Sequence, residues 1–151
     1  MREGPDVLVN TLAGERVTFR RHAADTRGQL IQFDLVLSKV GGSPPPHIHL
    51  LQTESFTVRS GALRLMVASE ERVLHEGEEA FVPAGTVHRW WNAGPGDAIV
   101  SVEMRPGLHF EELLDEAFSL IDEGKFGEHG PIDQAAAAAW AEKWKQEYRL
   151  A

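Results

Sequence analysis

The sequence predicts a mainly β protein, a sandwich or small barrel of short strands followed by two C-terminal α-helices. Three observations carry this. From Met1 to about Met104 the apolar residues recur with period two, the strand pattern. Clusters of turn-forming residues (NTLAGE, GGSPPP, SGA, SEE, EGE, PAGT, NAGPGD) interrupt these runs at short intervals. After Arg105–Gly107 the apolar period becomes helical. We therefore place the β part at residues 1–106. Residues 107–151 are expected to form a helical extension, packed on the β part or on a partner subunit.

The strands follow in order. Val17, Phe19 and Arg21 alternate with Thr18, Arg20 and His22; Ile31, Phe33, Leu35 and Leu37 alternate with Gln32, Asp34, Val36 and Ser38. Phe56 and Val58, then Leu63, Leu65 and Val67, continue the pattern. Within PAGT, Pro83 and Gly85 suit a tight turn, which puts His88 near a strand start on one face with Trp90 and Asn92. Phe110, Leu113, Leu114, Ala117, Phe118 and Ile121 form one helical face, and Glu111 and Glu112 sit where the helix dipole favours acids. Gly124 is a candidate C-cap, and 127–131 reads as a loop. A last helix is expected over Ile132–Leu150, with Trp140, Trp144 and Tyr148 sharing a packing face.

Composition narrows the function. A net charge of −8 and the lack of any basic run argue against nucleic acid and anionic membranes as partners. No apolar run reaches the length of a membrane span, and the first ten residues hold no signal-like apolar core, so a cytoplasmic protein is expected. The absence of cysteine removes disulfides, thiolate metal sites and cysteine nucleophiles.

The chemistry concentrates in PPPHIHLLQTE, Pro44–Glu54. His47 and His49 share one face of an extended strand, where two imidazoles can hold one metal ion. Glu54 has the opposite parity. If it joins them, the chain must bend within Leu50–Thr53, and Glu54 then shares an inward face with Phe56 and Val58. His88 is the candidate fourth ligand. His22, His75, His109 and His129 are read as ordinary surface or core residues.

These residues fall on a family pattern. Gly41, His47, His49, Glu54 and Gly61 match one motif of the cupin superfamily, and Gly77, Pro83, Gly85, His88 and Asn92 match its second. The chain resembles a single-barrel, quercetinase-like or type-2 cupin with both motifs intact. The resemblance implies a double-stranded β-helix, or jelly roll, of six to eight strands. It also implies a divalent transition metal (Fe, Mn, Ni, Co, Cu or Zn) held by His47, His49, Glu54 and His88. Such proteins pair sheet to sheet, so a homodimer is expected, with the strand near Val7–Leu12 suited to exchange.

Parity marks Phe56, Val58, Leu65 and Trp90 as pocket walls, with Ile31 and Phe33 beside them and Gln52 as a residue that tunes the metal shell. An apolar pocket suits a small organic substrate. Arg64 and Arg89 alternate away from it, which argues against a phosphosugar. The expected activity is that of a metal-dependent dioxygenase acting on an enol, catechol or flavonol-like molecule, with Glu54 as base. The alternatives are a non-catalytic binding or sensor protein with a structural metal, a metal-dependent isomerase, and an interaction protein working through its C-terminal helices.

Overall fold

The computed structural model describes residues 1–41, 44–128 and 130–151. Two antiparallel sheets face each other. The first has six strands: β1 (Val7–Asn10), β2 (Glu15–Arg21), β3 (Ile31–Leu37), β10 (Ala98–Arg105), β5 (Thr53–Ser60) and β8 (Glu79–Val82), in that spatial order. The second has five: β13 (Tyr148–Leu150), β4 (His47–His49), β9 (His88–Asn92), β6 (Ala62–Val67) and β7 (Glu70–His75). Among the described residues the two sheets hold eleven strands, more than the six to eight expected, and β1 and β13 are two of the additional ones. β1 pairs with β2 of its own chain.

Alternation places the core. Ile31, Phe33, Leu35 and Leu37 on β3 are all buried, as are Val100, Val102 and Met104 on β10 and Phe56 and Val58 on β5. These side chains point between the sheets, where removal of apolar surface from water stabilises the fold.

Helix α1 (Phe110–Asp122) lays Phe110, Leu113 and Phe118 against the barrel, and Glu111 and Glu112 occupy its first turn as expected. Asp133 caps α2 (Gln134–Trp144) by accepting from the Ala136 amide at 3.0 Å. The buried Trp144 donates its indole N–H to Glu116 of α1 at 2.9 Å.

Two expectations about the tail are corrected. The last helix stops at Trp144 instead of running to Leu150, and Tyr148–Leu150 forms a strand against β4. The reason lies in β4, a three-residue strand with one edge on β9. Its other edge carries backbone groups that need partners when enclosed. Tyr148 pairs with His49 and Leu150 with His47, and the Ala151 amide donates to Pro46 O at 3.0 Å. Residues 107–151 are thus not purely helical. The expected loop at 127–131 carries a small ladder between β11 (Phe126–Gly127) and β12 (Gly130–Pro131). Residue 129 within it, and 42 and 43 in the GGSPPP break, lie outside the described residues.

The β5–β6 hairpin turns on Gly61, whose φ is +76° and whose absent Cβ would stand 2.2 Å from Asp97 O. Both the left-handed backbone and the close approach demand glycine. Gly61→Ala is expected to destabilise the fold by at least about 2 kcal/mol, lowering Tm by about 5 °C or more. A thermal melt within one degree of the parent would refute this account of the hairpin.

Candidate metal centre

The bend demanded by the parity of Glu54 is present. β4 ends at His49 in one sheet, and β5 begins at Thr53 in the other. Residues 50–52 carry the chain across, so Glu54 faces the two histidines from the opposite sheet. It lies on the buried face of β5 with Phe56 and Val58. The crossing is held by Gln52, which is buried and donates its amide to Pro106 O at 2.9 Å and Gly107 O at 2.8 Å. Gln52 therefore pins the bend to the end of β10, and both of these amide hydrogen bonds go to the backbone.

His88 opens β9 directly opposite His47 in the β4–β9 pairing. The Pro83–Gly85 turn leads into it, and the Gly85 amide donates to His49 O at 2.9 Å, tying that turn to β4. His47, His49 and Glu54 are each 4% exposed and His88 1%, so all four have lost their water. One nitrogen from each imidazole lies within 4.8 Å of the others. Glu54 Oε2 stands 2.9 Å from His88 Nε2 and 3.4 Å from His49 Nε2. Among the described residues no lysine or arginine pairs with Glu54.

Backbone carbonyls orient two of the rings. His47 Nδ1 lies 2.8 Å from Pro45 O, and His88 Nδ1 lies 3.0 Å from Thr86 O. An Nδ1–H donating to each carbonyl leaves Nε2 to the interior as the ligand atom, the arrangement typical of metal-binding histidine. The prolines before His47 thus contribute an acceptor as well as a stiff approach. His49 Nδ1 is buried with no hydrogen-bond partner.

A buried carboxylate, three converging imidazoles and an orphaned ring nitrogen fit a divalent transition metal. A cation would satisfy the buried charge and the lone pairs together. A mixed nitrogen and oxygen donor set does not by itself select one metal.

Without an ion the cluster is electrostatically strained. Burial, and secondarily His88, pushes the His47 pKa down to about 3. His49 is lowered by burial and by His47 and His88. Burial would lower His88 too, but its hydrogen bond to Glu54, the charge of Glu54 and the Thr86 carbonyl outweigh that and raise it.

A cavity of about 690 Å³ opens on the cluster and is roofed by α1, the β11–β12 turn, α2 and β13. Of the expected walls, Phe33, Phe56 and Trp90 line it. Val58 and Leu65 are buried in the barrel core behind the wall, as is Ile31, so these three do not border the cavity. Sequence reasoning missed Tyr148, whose ring stacks on His47 (centroids 5.3 Å, 25° between planes) and meets the edge of His49 at 5.6 Å. Its four-residue spacing from Trp140 and Trp144 suggested a helix face; its alternation with Leu150 was the available signal. Sequence reasoning also missed Glu15, a cavity-lining carboxyl at the start of β2 that shares the parity of Val17 and Phe19. His22 pairs with Asp6 and Glu111, and His109 with Glu147, all apart from the cluster. His75 is exposed on β7.

Comparison with known proteins agrees with this geometry. A cupin-domain family model matches residues 34–104. A quercetin 2,3-dioxygenase of Bacillus subtilis is 29% identical over 110 residues, covering 69% of this chain and 33% of that protein. An uncharacterized protein of Aquifex aeolicus is 33% identical over 60 residues, 40% of this chain and 50% of the other. The chain thus spans half or less of the length of these relatives. Among solved structures, an oxalate oxidase superposes with a TM-score of 0.54 at 26% identity, covering 63% of this chain and 52% of that one. An RmlC-like cupin from Shewanella frigidimarina superposes at 0.58 with 16% identity over 72% and 89% of the two chains, a likeness of fold alone. The facing sheets, the two motifs and these matches support a cupin domain of type 2 in this chain, matched over residues 34–104.

The depressed histidines set a pH dependence. Between pH 6.5 and about 3 an unfolded chain takes up the proton that folded His47 refuses. Metal-free protein should therefore lose stability as pH falls through this window, by up to about 1.4 kcal/mol per pH unit for each such histidine. His49 acts in the same direction. His88 acts oppositely, its stabilisation being complete below pH 6.5 and lost as pH rises through its raised pKa. Urea denaturation of chelator-treated protein at pH 7 and pH 5 should show a smaller loss for His47→Gln than for the parent. Equal losses would refute the assignment.

Proposed function

We propose that this cupin is a metal-dependent dioxygenase acting on a small aromatic or enolic substrate, with His47, His49, Glu54 and His88 holding the metal. The observation that carries this reading is the contact of Glu54 with His49 and His88 beside a cavity walled by aromatic rings. A divalent transition metal held there would supply Lewis acidity and electron transfer to the reaction of substrate with dioxygen.

The remaining work falls to the chain. Phe33, Phe56, Phe110 and Trp90 present apolar faces to a flat substrate and exclude water from it. Tyr148, stacked on His47, narrows the space beside the cluster and supplies a phenol that can hydrogen-bond substrate. Glu54 Oε2, on the buried face of β5, accepts the proton of an enol or phenol hydroxyl. The Pro45 and Thr86 carbonyls keep the His47 and His88 rings from rotating as that proton moves. Arg64 is paired with Glu71 on an exposed face, as expected. Arg89, expected to alternate away from the pocket, instead lines the cavity, so only Arg64 weighs against a phosphosugar there. The resemblance to a quercetin 2,3-dioxygenase supports the same reaction class.

Protein loaded in turn with iron(II), manganese, cobalt, nickel or copper should consume oxygen with a flavonol, catechol or enol. Glu54→Gln should lower kcat by about a hundredfold or more, and His88→Ala should abolish turnover together with metal retention. Full metal occupancy without oxygen uptake from any of the three substrate types would sink the oxygenase reading. It would leave the protein a metal-containing binding module.

A further inference from the structure

The cavity has a second polar end that the proposed reaction does not use. Glu15 opens β2 on the same face as Val17 and Phe19, and so points inward. It stands opposite the buried Asn10 in the β1–β2 register, and both line the cavity. Asn10 gives Glu15 little: its Nδ2 lies a long 3.5 Å from Oε2, while its Oδ1 accepts from the Ala13 amide at 3.2 Å. Among the described residues Oε1 of Glu15 has no hydrogen-bond partner, and no lysine, arginine or histidine forms an ion pair with it. Burial pushes its carboxyl up to about 7, against the lowering effect of Asn10. Glu15 is half-buried at the cavity wall, so its carboxyl has hydrogen-bonding capacity that a ligand in the cavity can use.

Its position defines what that something is. Through the paired strands, Glu54 is level with Met104 and Ile31, whereas Glu15 is level with Leu37. The whole length of β3 separates the two carboxyls along the sheet. Tyr148, stacked on the cluster at His47, also lines the cavity, and burial and then the charges of Glu54 and Glu15 raise its phenol. A ligand filling the cavity would thus meet the histidine cluster at one end and the Glu15 carboxyl at the other, with aromatic rings among the walls between them.

We propose that Glu15, assisted by Asn10, is a specificity-determining residue that selects aromatic ligands carrying a hydroxyl donor at the end remote from their metal-chelating group. This rests on the same cavity being the substrate site of the proposed dioxygenase. Glu15 accepts the ligand hydroxyl, which satisfies the carboxyl where the protein leaves it open.

The test uses metal-loaded protein titrated calorimetrically without oxygen. The probes are 3-hydroxyflavone, which has a chelating hydroxy-ketone, and its 7-hydroxy and 4′-hydroxy derivatives. One derivative should bind the parent protein about tenfold more tightly than 3-hydroxyflavone, as expected for a hydrogen bond to a carboxylate. Glu15→Leu should erase that ratio, and Glu15→Gln should keep part of it. A ratio near one in the parent, a ratio that survives in Glu15→Leu, or no binding of any probe would overturn the proposal. The two readings fail separately: absent oxygen uptake with this ratio intact removes the oxygenase and keeps the role of Glu15. Oxygen uptake with the ratio unchanged in Glu15→Leu does the reverse.

Discussion

The structure depends most on one contact, the meeting of the Glu54 carboxylate with His88 and His49 between two sheets. A carboxylate almost removed from water costs several kcal/mol unless charge and hydrogen bonds compensate it. Here the compensation comes from two strands, β4 and β9, of the sheet that faces Glu54. The two sheets must therefore hold a fixed separation and register for the contact to exist. The bend at 50–52 delivers Glu54 to the opposite sheet, the β4–β9 pairing sets His88 across from His47, and Gln52 clamps the bend to the residues after β10. The clamp matters because β4 has only three residues and little ladder of its own to resist displacement.

The shortness of β4 also explains the architecture of the tail. A strand carrying two of the four clustered side chains cannot be left with a bare edge, which would admit water or another chain. β13 closes that edge, and in doing so sets Tyr148 over the imidazoles. Helices α1 and α2, tied through Glu116 and Trp144, bring the chain back to the barrel at the point where β13 must begin. Local stability and the shape of the cavity are here the same set of contacts. Loosening the tail would expose both the β4 backbone and the buried face of the histidines.

How much of this was legible in the sequence follows from the range of the signals. The period-two runs and the motif residues are local patterns, and they led to the β class, the four clustered side chains and the bend at Glu54. The bend was legible because parity is strict: His47 and His49 on one strand exclude Glu54 from their face unless the chain changes direction. Tyr148 was obscured because four-residue spacing with two tryptophans satisfies a helix equally well, and only the open edge of β4 decides for a strand. The backbone partners of Gln52 were hidden for a similar reason. Its neighbourhood to Glu54 in sequence suggested a role at the metal, whereas its amide partners lie more than fifty residues away. Glu15 sat inside a stretch read as a turn, so its inward parity with Val17 and Phe19 went unused.

The same reasoning bears on how the barrel can combine stability with binding. Val58, Leu65 and Ile31 fill the interior behind the cavity wall, so the apolar core is continuous and does not need a ligand to complete it. Two polar groups of the lining lie far apart along the sheet: the histidine cluster with Glu54, and Asn10 with Glu15. Such separation lets the middle of the cavity accept a flat apolar body without specificity of its own. Discrimination then rests on the spacing of polar groups at the two ends, which the β3 ladder holds constant. A change in the aromatic walls would alter how tightly ligands are held as a class, whereas a change at either end would alter which ligands are held.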